Sequence, residues 1–305
     1  MKILITGSKG LIGSALKLTL QSLQIDVVEF DISSSRDILD ANLLFSEMEQ
    51  VDGVVHLAAV SRVIDGEKKP KLCWKTNVEG TRNVAEAALA SPKQPWVIYA
   101  SSREVYGEQK ELPVKESVAL RPMNIYGESK LEAENRIALA QEKGLTAAIV
   151  RFSNVFGSVH DHPDRVVPAF CRAAAEGSDL RVDGSNNMFD FTYLEDVVQG
   201  VISLIRLLMR TKESLPPIHL TSGTGATLGE IAQIAREASY YPISIIEKPS
   251  RSFDVSRFYG DAARAKTILN WKARVPVEEG MQRLINQYRI FFHSLQGEEI
   301  EKTHI

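Results

Sequence analysis

Hydrophobic positions along this chain fall into short runs that alternate with helical stripes. Lys2-Ile3-Leu4-Ile5 is an apolar run of the kind a buried parallel strand shows, and after Gly10 the apolar residues Leu11, Ile12, Leu16, Leu20 and Leu23 recur at helical spacing. The pattern repeats. Val27 to Phe30, Val54 to Leu57, Trp96 to Tyr99 and Ala147 to Arg151 read as strands, with helices predicted from Asn77 to Leu89 and around Lys130. Such alternation builds a parallel sheet covered by helices on both faces, with its ligand crevice at the carboxyl ends of the strands. Each predicted strand does end in small or polar residues: Thr6-Gly7, Asp31, Ala58-Ala59, Ser101-Ser102, and Arg151 onward to Asn154.

From about Phe156 the alternation fails, and Gly, Asp, Pro and Asn become frequent through Asn187, marking a second, smaller lobe. Asp190 to Leu208 reads as a strand and helix that return to the sheet. The remainder mixes short strands with helices such as Leu228 to Ala238 and Val277 to Phe291. The expected division is therefore a sheet domain of residues 1–155 plus about 188–210, and a mixed α/β lobe of about 156–187 and 211–296. Residues 297–305 are charged and aperiodic, and are expected to fray. Val197 to Met209 is too short to span a bilayer and contains Arg206, so it reads as a packed helix.

Between the first run and the first helix lies Thr6-Gly7-Ser8-Lys9-Gly10-Leu11-Ile12-Gly13. Glycines here permit a tight turn, let backbone approach a pyrophosphate, and allow the helix to pack closely on the sheet. The pyrophosphate would face unpaired N–H groups at the helix N-terminus. Asp31, at the end of the second run, stands where a carboxylate accepts from the adenosine ribose hydroxyls. Strand, loop, helix, strand and acid in this order predict a Rossmann-type, doubly wound α/β domain that binds a dinucleotide. Lys9 would suit a ribose 2′-phosphate, but Asp31 would repel it, so NAD is the expected cofactor and NADP the alternative.

Composition narrows the partners. At 305 residues with 44% hydrophobic positions and a formal net charge of -3, the chain offers no basic field for nucleic acid. No secretory h-region precedes the first strand, and Cys73 and Cys171 lack metal-ligand spacing, so a cytoplasmic protein with two buried free thiols is expected. No membrane segment and no metal site are read.

Tyr126 and Lys130 stand four residues apart, on one face of a helix. A nearby ammonium, helped by a positively charged nicotinamide, lowers a phenol pKa and lets it remove a proton from an alcohol as hydride leaves the carbon. Ser101 and Ser102 follow an apolar run into the crevice, where a hydroxyl bonds the reacting oxygen and relays protons with Tyr126.

With His56-Leu57-Ala58-Ala59, Asn77-Val78-Glu79-Gly80-Thr81, Ser101 to Gly107, Arg151 to Gly157 and Asp190 to Asp196, these motifs resemble an extended short-chain dehydrogenase/reductase of the NAD-dependent epimerase/dehydratase family across nearly the whole chain. The resemblance implies tightly bound NAD, a C-terminal lobe for a nucleotide-diphosphate sugar, and a transient 4-keto sugar. It implies Ser102, Tyr126 and Lys130 as the catalytic group and Asp37 with Ile38 as the adenine-contacting pair. Leu57, Ala58, Ala59 and Asn77 would join Gly7, Lys9, Gly10, Leu11, Ile12, Gly13, Asp31, Tyr126 and Lys130 around the cofactor. Asn154 and Arg251 would meet the substrate diphosphate. It also implies a homodimer that pairs the helices at 77–89 and 126–140.

Two departures stand out. The residue before Asp190-Phe191-Thr192-Tyr193 is usually an arginine that grips the diphosphate, and here it is Phe189. A charge-assisted hydrogen bond worth roughly 1.5–3 kcal/mol is missing, to be supplied by Arg165, Arg181 or Arg251 unless the substrate is unusual. The stretch from Asp31 to Arg36 is also short, leaving the adenine side less covered.

Glu104 matches a glutamate that sugar dehydratases and decarboxylases of this family use. Arg103 replaces their middle residue and cannot act as a general acid, since guanidinium does not deprotonate. It would pair with a substrate carboxylate, or with Glu104 or Glu108. The leading expectation is a nucleotide-sugar 4-epimerase, and the alternative a decarboxylase or dehydratase using Glu104. An NADP-dependent reductase or a non-catalytic nucleotide-binding protein are further options. His160-Asp161-His162 reads as a solvated turn rather than a metal site, and Trp74, Trp96 and Trp271 as packing residues.

Overall fold

The computed structural model describes residues 1–250 and 255–302. Its first half is the expected alternation. Strand β1 (Lys2–Thr6) leads to helix α1 (Leu11–Ser22), β2 (Asp26–Phe30), α2 (Ala41–Met48) and β3 (Gly53–His56). After β3, the short helices α3 (Val63–Lys68) and α4 (Pro70–Trp74) run through a π-helical turn at Lys75–Glu79 into α5 (Gly80–Ala90). Then come β4 (Trp96–Ser102), a 3-10 turn at Arg103–Tyr106, α6 (Ile125–Glu142) and β5 (Ala147–Phe152).

The second half contains β6 (Asn154–Phe156), α7 (Val166–Glu176), β7 (Leu180–Asp183), β8 (Met188–Tyr193) and α8 (Leu194–Thr211). It closes with β9 (Ile218–Leu220), β10 (Gly225–Thr227), α9 (Leu228–Ala238), β11 (Ile245–Lys248), β12 (Arg257–Phe258), α10 (Ala263–Leu269) and α11 (Val277–Lys302).

Six strands form a parallel sheet in the order β2-β1-β3-β4-β5-β9. Side chains alternate across it with the period-two geometry of strands. Trp96, Ile98 and Ala100 face a core shared with Leu16 and Leu20 of α1 and the apolar stripe of α8, whereas Val97 and Tyr99 face Leu44 of α2, Val84 of α5 and Ile137 of α6. The resulting α/β/α sandwich puts the ends of β1, β3 and β4 at one edge, facing a second lobe.

That lobe is built around β8, which pairs with β6, β10 and β12, while β7 pairs with β11. Phe189 and Phe191 pack there with Phe156, Phe170 and residues of α9 and α11. This corrects the expectation that the strand beginning near Asp190 returns to the main sheet: only α8 does so. Conversely β9, expected in the smaller lobe, is the sixth strand of the main sheet. Its three residues are fully buried but too few to display a period.

Asp190, wholly buried, receives N–H donors from Ser222 (2.8 Å) and Gly223 (2.9 Å) and the Thr192 hydroxyl (3.0 Å), which ties β8 to the loop after β9. Helix α11 runs through the stretch expected to fray, as far as Lys302; residues 303–305 lie outside the described residues. Trp96 and Trp271 are core, as expected, but Trp74 is 41% exposed. Both cysteines are buried free thiols. No described helix is long and apolar enough to cross a membrane.

Candidate active site

The ends of β1, β3 and β4 and the facing surface of the smaller lobe enclose a cavity of about 750 Å³. Its floor is the glycine loop. Gly7 has φ +69°, a left-handed conformation, and a Cβ there would lie 2.8 Å from the Ala58 nitrogen. A Cβ on Gly13 would lie 2.2 Å from the Gly7 oxygen. Side chains are therefore excluded where α1 meets the loop. Gly10 caps α1 without any side-chain hydrogen bond, and no acid stands in the first turn. Unpaired N–H groups and the positive end of the helix dipole consequently face the cavity, the chemistry that a pyrophosphate fits.

Asp31 closes the adenosine side. Its Oδ2 accepts from the Lys9 N–H at 3.0 Å and its Oδ1 from the Ser33 N–H at 3.0 Å and hydroxyl at 2.7 Å. Burial raises its pKa, but these hydrogen bonds outweigh it and hold the carboxyl below its ordinary value. The acid is thus anionic at neutral pH, fitting ribose hydroxyls. Asp37, Ile38, Leu57, Ala58 and Ala59 line the same cavity, as do Leu11 and Ile12. Beneath them His56 bridges Thr6 (2.7 Å) and Thr81 (2.9 Å), and burial holds its pKa down at about 3. It is a neutral strut between β1, β3 and α5.

Two expected cofactor residues do not reach the cavity wall. Lys9 is exposed and off the cavity wall; its backbone N–H bonds Asp31, and its charge also acts on that carboxyl. Asn77 is buried in the π-helical turn, where its amide pairs with both backbone groups of Val60 (2.8 and 3.1 Å) and with the Ser129 hydroxyl (2.9 Å). It braces the loop after β3 against α6.

Across the cavity, Ser102, Tyr126 and Lys130 come together as the sequence predicts. Asn124 caps α6, accepting from the Gly127 N–H at 2.8 Å, so Tyr126 lies in the first turn and Lys130 one turn later. The Lys130 ammonium donates to the Ala100 oxygen at 2.7 Å and lies 6.0 Å from the Tyr126 ring centroid. Burial pushes Lys130 down to about 8. Burial also pushes the Tyr126 phenol up to about 12, against a hydrogen bond from Ser102 and with the Glu104 charge adding to the rise. The protein alone therefore does not lower the phenol pKa, contrary to the ammonium argument. Desolvation of the buried phenol is the largest influence on it.

Glu104 is buried at the foot of the 3-10 turn, with both oxygens engaged: Oε1 by Arg103 Nη2 at 2.9 Å, Oε2 by Asn124 Nδ2 at 2.9 Å. Arg103 chooses Glu104 over Glu108, which instead binds Ser256. Its guanidinium lies over the ring of Phe189, 4.5 Å from the centroid. Asn154 lines the cavity and donates to the Asp190 oxygen at 3.3 Å. Of the arginines expected to compensate for Phe189, Arg165 lines the cavity and its charge reaches Tyr126, whereas Arg181 pairs with Asp183 in an exposed position off the cavity. Arg251 lies outside the described residues.

Arg62, which sequence reasoning missed, bridges the mouth by pairing with Asp164 of the smaller lobe. The cap Asn124 had a signal, an Asn directly before a predicted helix; Arg62 had none. Asp161 is buried rather than solvated, paired with Arg165 at 3.5 Å, and among the described residues no group of acidic, histidine and cysteine side chains could hold a metal ion.

A parallel sheet whose first loop opens onto an uncapped helix, with Ser, Tyr and Lys facing it, defines a dinucleotide-binding protein of the short-chain dehydrogenase/reductase type. The chain belongs to the NAD dependent epimerase/dehydratase family, whose sequence profile matches residues 3–214. It is 26% identical over 307 residues to a UDP-glucose 4-epimerase of Lactobacillus helveticus, covering 90% of this chain and 92% of that one. It is 28% identical over 324 residues to UDP-glucuronic acid decarboxylase 1 of Danio rerio, covering 99% and 76% respectively. Among solved structures, UDP-glucose 4-epimerase from Thermotoga maritima with UDP-glucose superposes with a TM-score of 0.87 at 25% identity, covering 96% of this chain and 100% of that one.

Proposed function

We propose that this protein is an NAD-dependent nucleotide-sugar 4-epimerase. The observation that carries the reading is the convergence of Ser102, Tyr126 and Lys130 on the cavity that the glycine loop opens into, while Glu104 is engaged by Arg103 and Asn124. NAD fits this cavity: Gly7, Gly10 and Gly13 clear the pyrophosphate path, Asp31 receives the ribose, and Asp37 and Ile38 flank the adenine. When bound there, NAD supplies a reversible hydride acceptor. The Tyr126 phenolate, stabilised by Lys130, takes the proton of the sugar C4 hydroxyl and becomes the neutral phenol, while Ser102 holds that oxygen. Rotation of the 4-keto sugar presents its other face, and Tyr126 then returns the proton. The diphosphate falls to Asn154 and Arg165.

A decarboxylase is the second reading, favoured by the Danio rerio relative and by the presence of Glu104 beside Tyr126. Both Glu104 oxygens are already bonded, to Arg103 and to Asn124, rather than free to reach a sugar. The partner is a nucleotide-diphosphate sugar, and the protein forms a homodimer that pairs α5 with α6, where Leu139 stands exposed. Light scattering of the purified protein tests the dimer.

Proton NMR of the protein with NAD and UDP-, dTDP- and GDP-sugars tests the reaction. A C4 epimer is expected. A pentose or a 6-deoxy-4-keto product would give Glu104 the chemical role and overturn the epimerase. The Tyr126→Phe variant is expected to bind NAD and lose turnover by at least about a hundredfold.

A further inference from the structure

Lys130 carries a charge into the fold with little to meet it. It is buried, its Nζ donates to the Ala100 oxygen at 2.7 Å, and among the described residues it pairs with no carboxylate. Glu134, one turn further along α6, is committed to Arg151 and Ser101. A buried ammonium served by one carbonyl is destabilising. Its nearest remaining contact is aromatic: Nζ lies over the Tyr99 ring, 5.0 Å from the centroid, against 6.0 Å for the Tyr126 ring. Such a contact is strongest where water is excluded.

Tyr99 is placed to offer that face. It stands on β4, on the side that α6 covers, buried behind the cavity wall rather than in it. From β3 the His56 ring packs against it, centroids 5.6 Å apart, and His56 is itself pinned by Thr6 and Thr81. The Tyr99 hydroxyl is buried without a hydrogen-bond partner, the nearby Thr81 hydroxyl being engaged by His56 and the Asn77 oxygen. The ring, not the hydroxyl, is therefore the part in use. The groups that face the ammonium are Tyr99 from β4, His56 from β3, Cys73 from α4, and Tyr126 and Glu134 from α6. Burial keeps His56 and the Cys73 thiol uncharged at neutral pH, and Glu134 is paired with Arg151. Resting on the 4-epimerase reading, we propose that Tyr99 is a positioning residue of the reaction, its ring face holding the Lys130 ammonium protonated beside Tyr126. Tyr99 acts through Lys130 alone.

Graded fluorination of the ring tests this, because fluorine withdraws negative charge from the face and changes the volume little. Lysine labelled with carbon-13 at Cε reports Lys130 as the resonance missing from Lys130→Met. Its pH titration in the NAD-loaded protein would be compared for wild type, Tyr99→Phe, and Tyr99→Phe carrying one, two or three ring fluorines. Burial already holds Lys130 down at about 8, so a weakened face brings loss of its proton into the neutral range. Wild type and Tyr99→Phe are expected to titrate together, and successive fluorines should lower the midpoint stepwise, by about one pH unit at three. The alkaline limb of the kcat profile for UDP-sugar turnover should move down with it. A midpoint indifferent to fluorination overturns the contact. A midpoint that moves while the kcat limb stays overturns the part in the reaction. If no UDP-sugar is converted, the epimerase reading fails, and the midpoint alone still upholds or overturns the hold of Tyr99 on Lys130.

Discussion

Glu134 offers a stringent test of how the catalytic helix is held. It lies one turn beyond Lys130 on α6, 5% exposed, and accepts from Arg151 Nε at 2.9 Å and Nη2 at 2.6 Å, with the Ser101 hydroxyl as a third donor. Arg151 is equally buried on β5 and also donates to the Tyr106 hydroxyl and the Glu116 oxygen. Glu134→Gln keeps the volume and removes the charge. A buried arginine left uncompensated costs about 3–5 kcal/mol. Unfolding entropy near 2.1 cal/mol/K per residue, over 305 residues, makes 1 kcal/mol worth about 1.6 °C, so Tm should fall by roughly 5–8 °C.

Scanning calorimetry at neutral pH reads this directly. The reasoning also requires that removing both charges hurt less than removing one. Glu134→Leu with Arg151→Met should regain at least about 2 kcal/mol, or roughly 3 °C, over the single variant. A double variant as unstable as the single would refute the stranded-charge account and point instead to lost shape or to the lost Ser101 and Glu116 hydrogen bonds.

Gly13→Ala forces a Cβ to within 2.2 Å of the Gly7 oxygen and should lower both Tm and NAD affinity, whereas Gly10→Ala meets only that oxygen at 3.4 Å and should keep Tm within about 2 °C while weakening NAD, as fluorescence titration would read. Asp31→Ala should weaken NAD by about tenfold to a hundredfold through the lost ribose contact and cost about 1 kcal/mol of stability through the lost cap, the first checked by titration and the second by urea unfolding. Lys130 sits at about 8 in the fold against 10.5 when free, so the unfolded chain binds its proton more tightly, and the wild type should gain up to about 3 kcal/mol on Lys130→Met as pH rises from 8 through 10.5. Urea midpoints across that range check it; a constant gap between the two proteins would contradict the burial argument.

What the chain shows in one dimension follows what is local. The β1 run, glycine loop, α1 stripe and Asp31 are legible because each needs specific residues within a few positions, and the Tyr126–Lys130 spacing is legible because a helix puts them on one face. The small lobe was less readable. β9 is three residues long, and β8 alternates like a main-sheet strand although Phe189 and Phe191 face a separate core. Asn77 stands at a position a motif assigns to the cofactor, yet its side chain is held by the Val60 loop. The Arg103–Phe189 stack joins residues far apart in sequence, so no window along the chain contains it. Nor does any window reveal that burial, rather than the neighbouring ammonium, dominates the Tyr126 pKa.

Consecutive serines at the end of β4 do opposite work because a strand alternates. Ser101 faces the side of Val97 and Tyr99 and ends on Glu134, while Ser102 closes the opposite series and opens into the cavity. The strand thus has parity, one hydroxyl bonded to the scaffold and one at the cavity wall. A slip of one residue between β4 and β5 would still offer the cavity a serine, and the site would look intact from the ligand side. The error would surface underneath, where Ala100 would stand in for Ser101 and Glu134 would lose a donor. Duplicated chemistry at adjacent positions therefore conceals a misregister from the substrate and exposes it to the fold, so misregistered chains are removed by instability rather than by loss of binding.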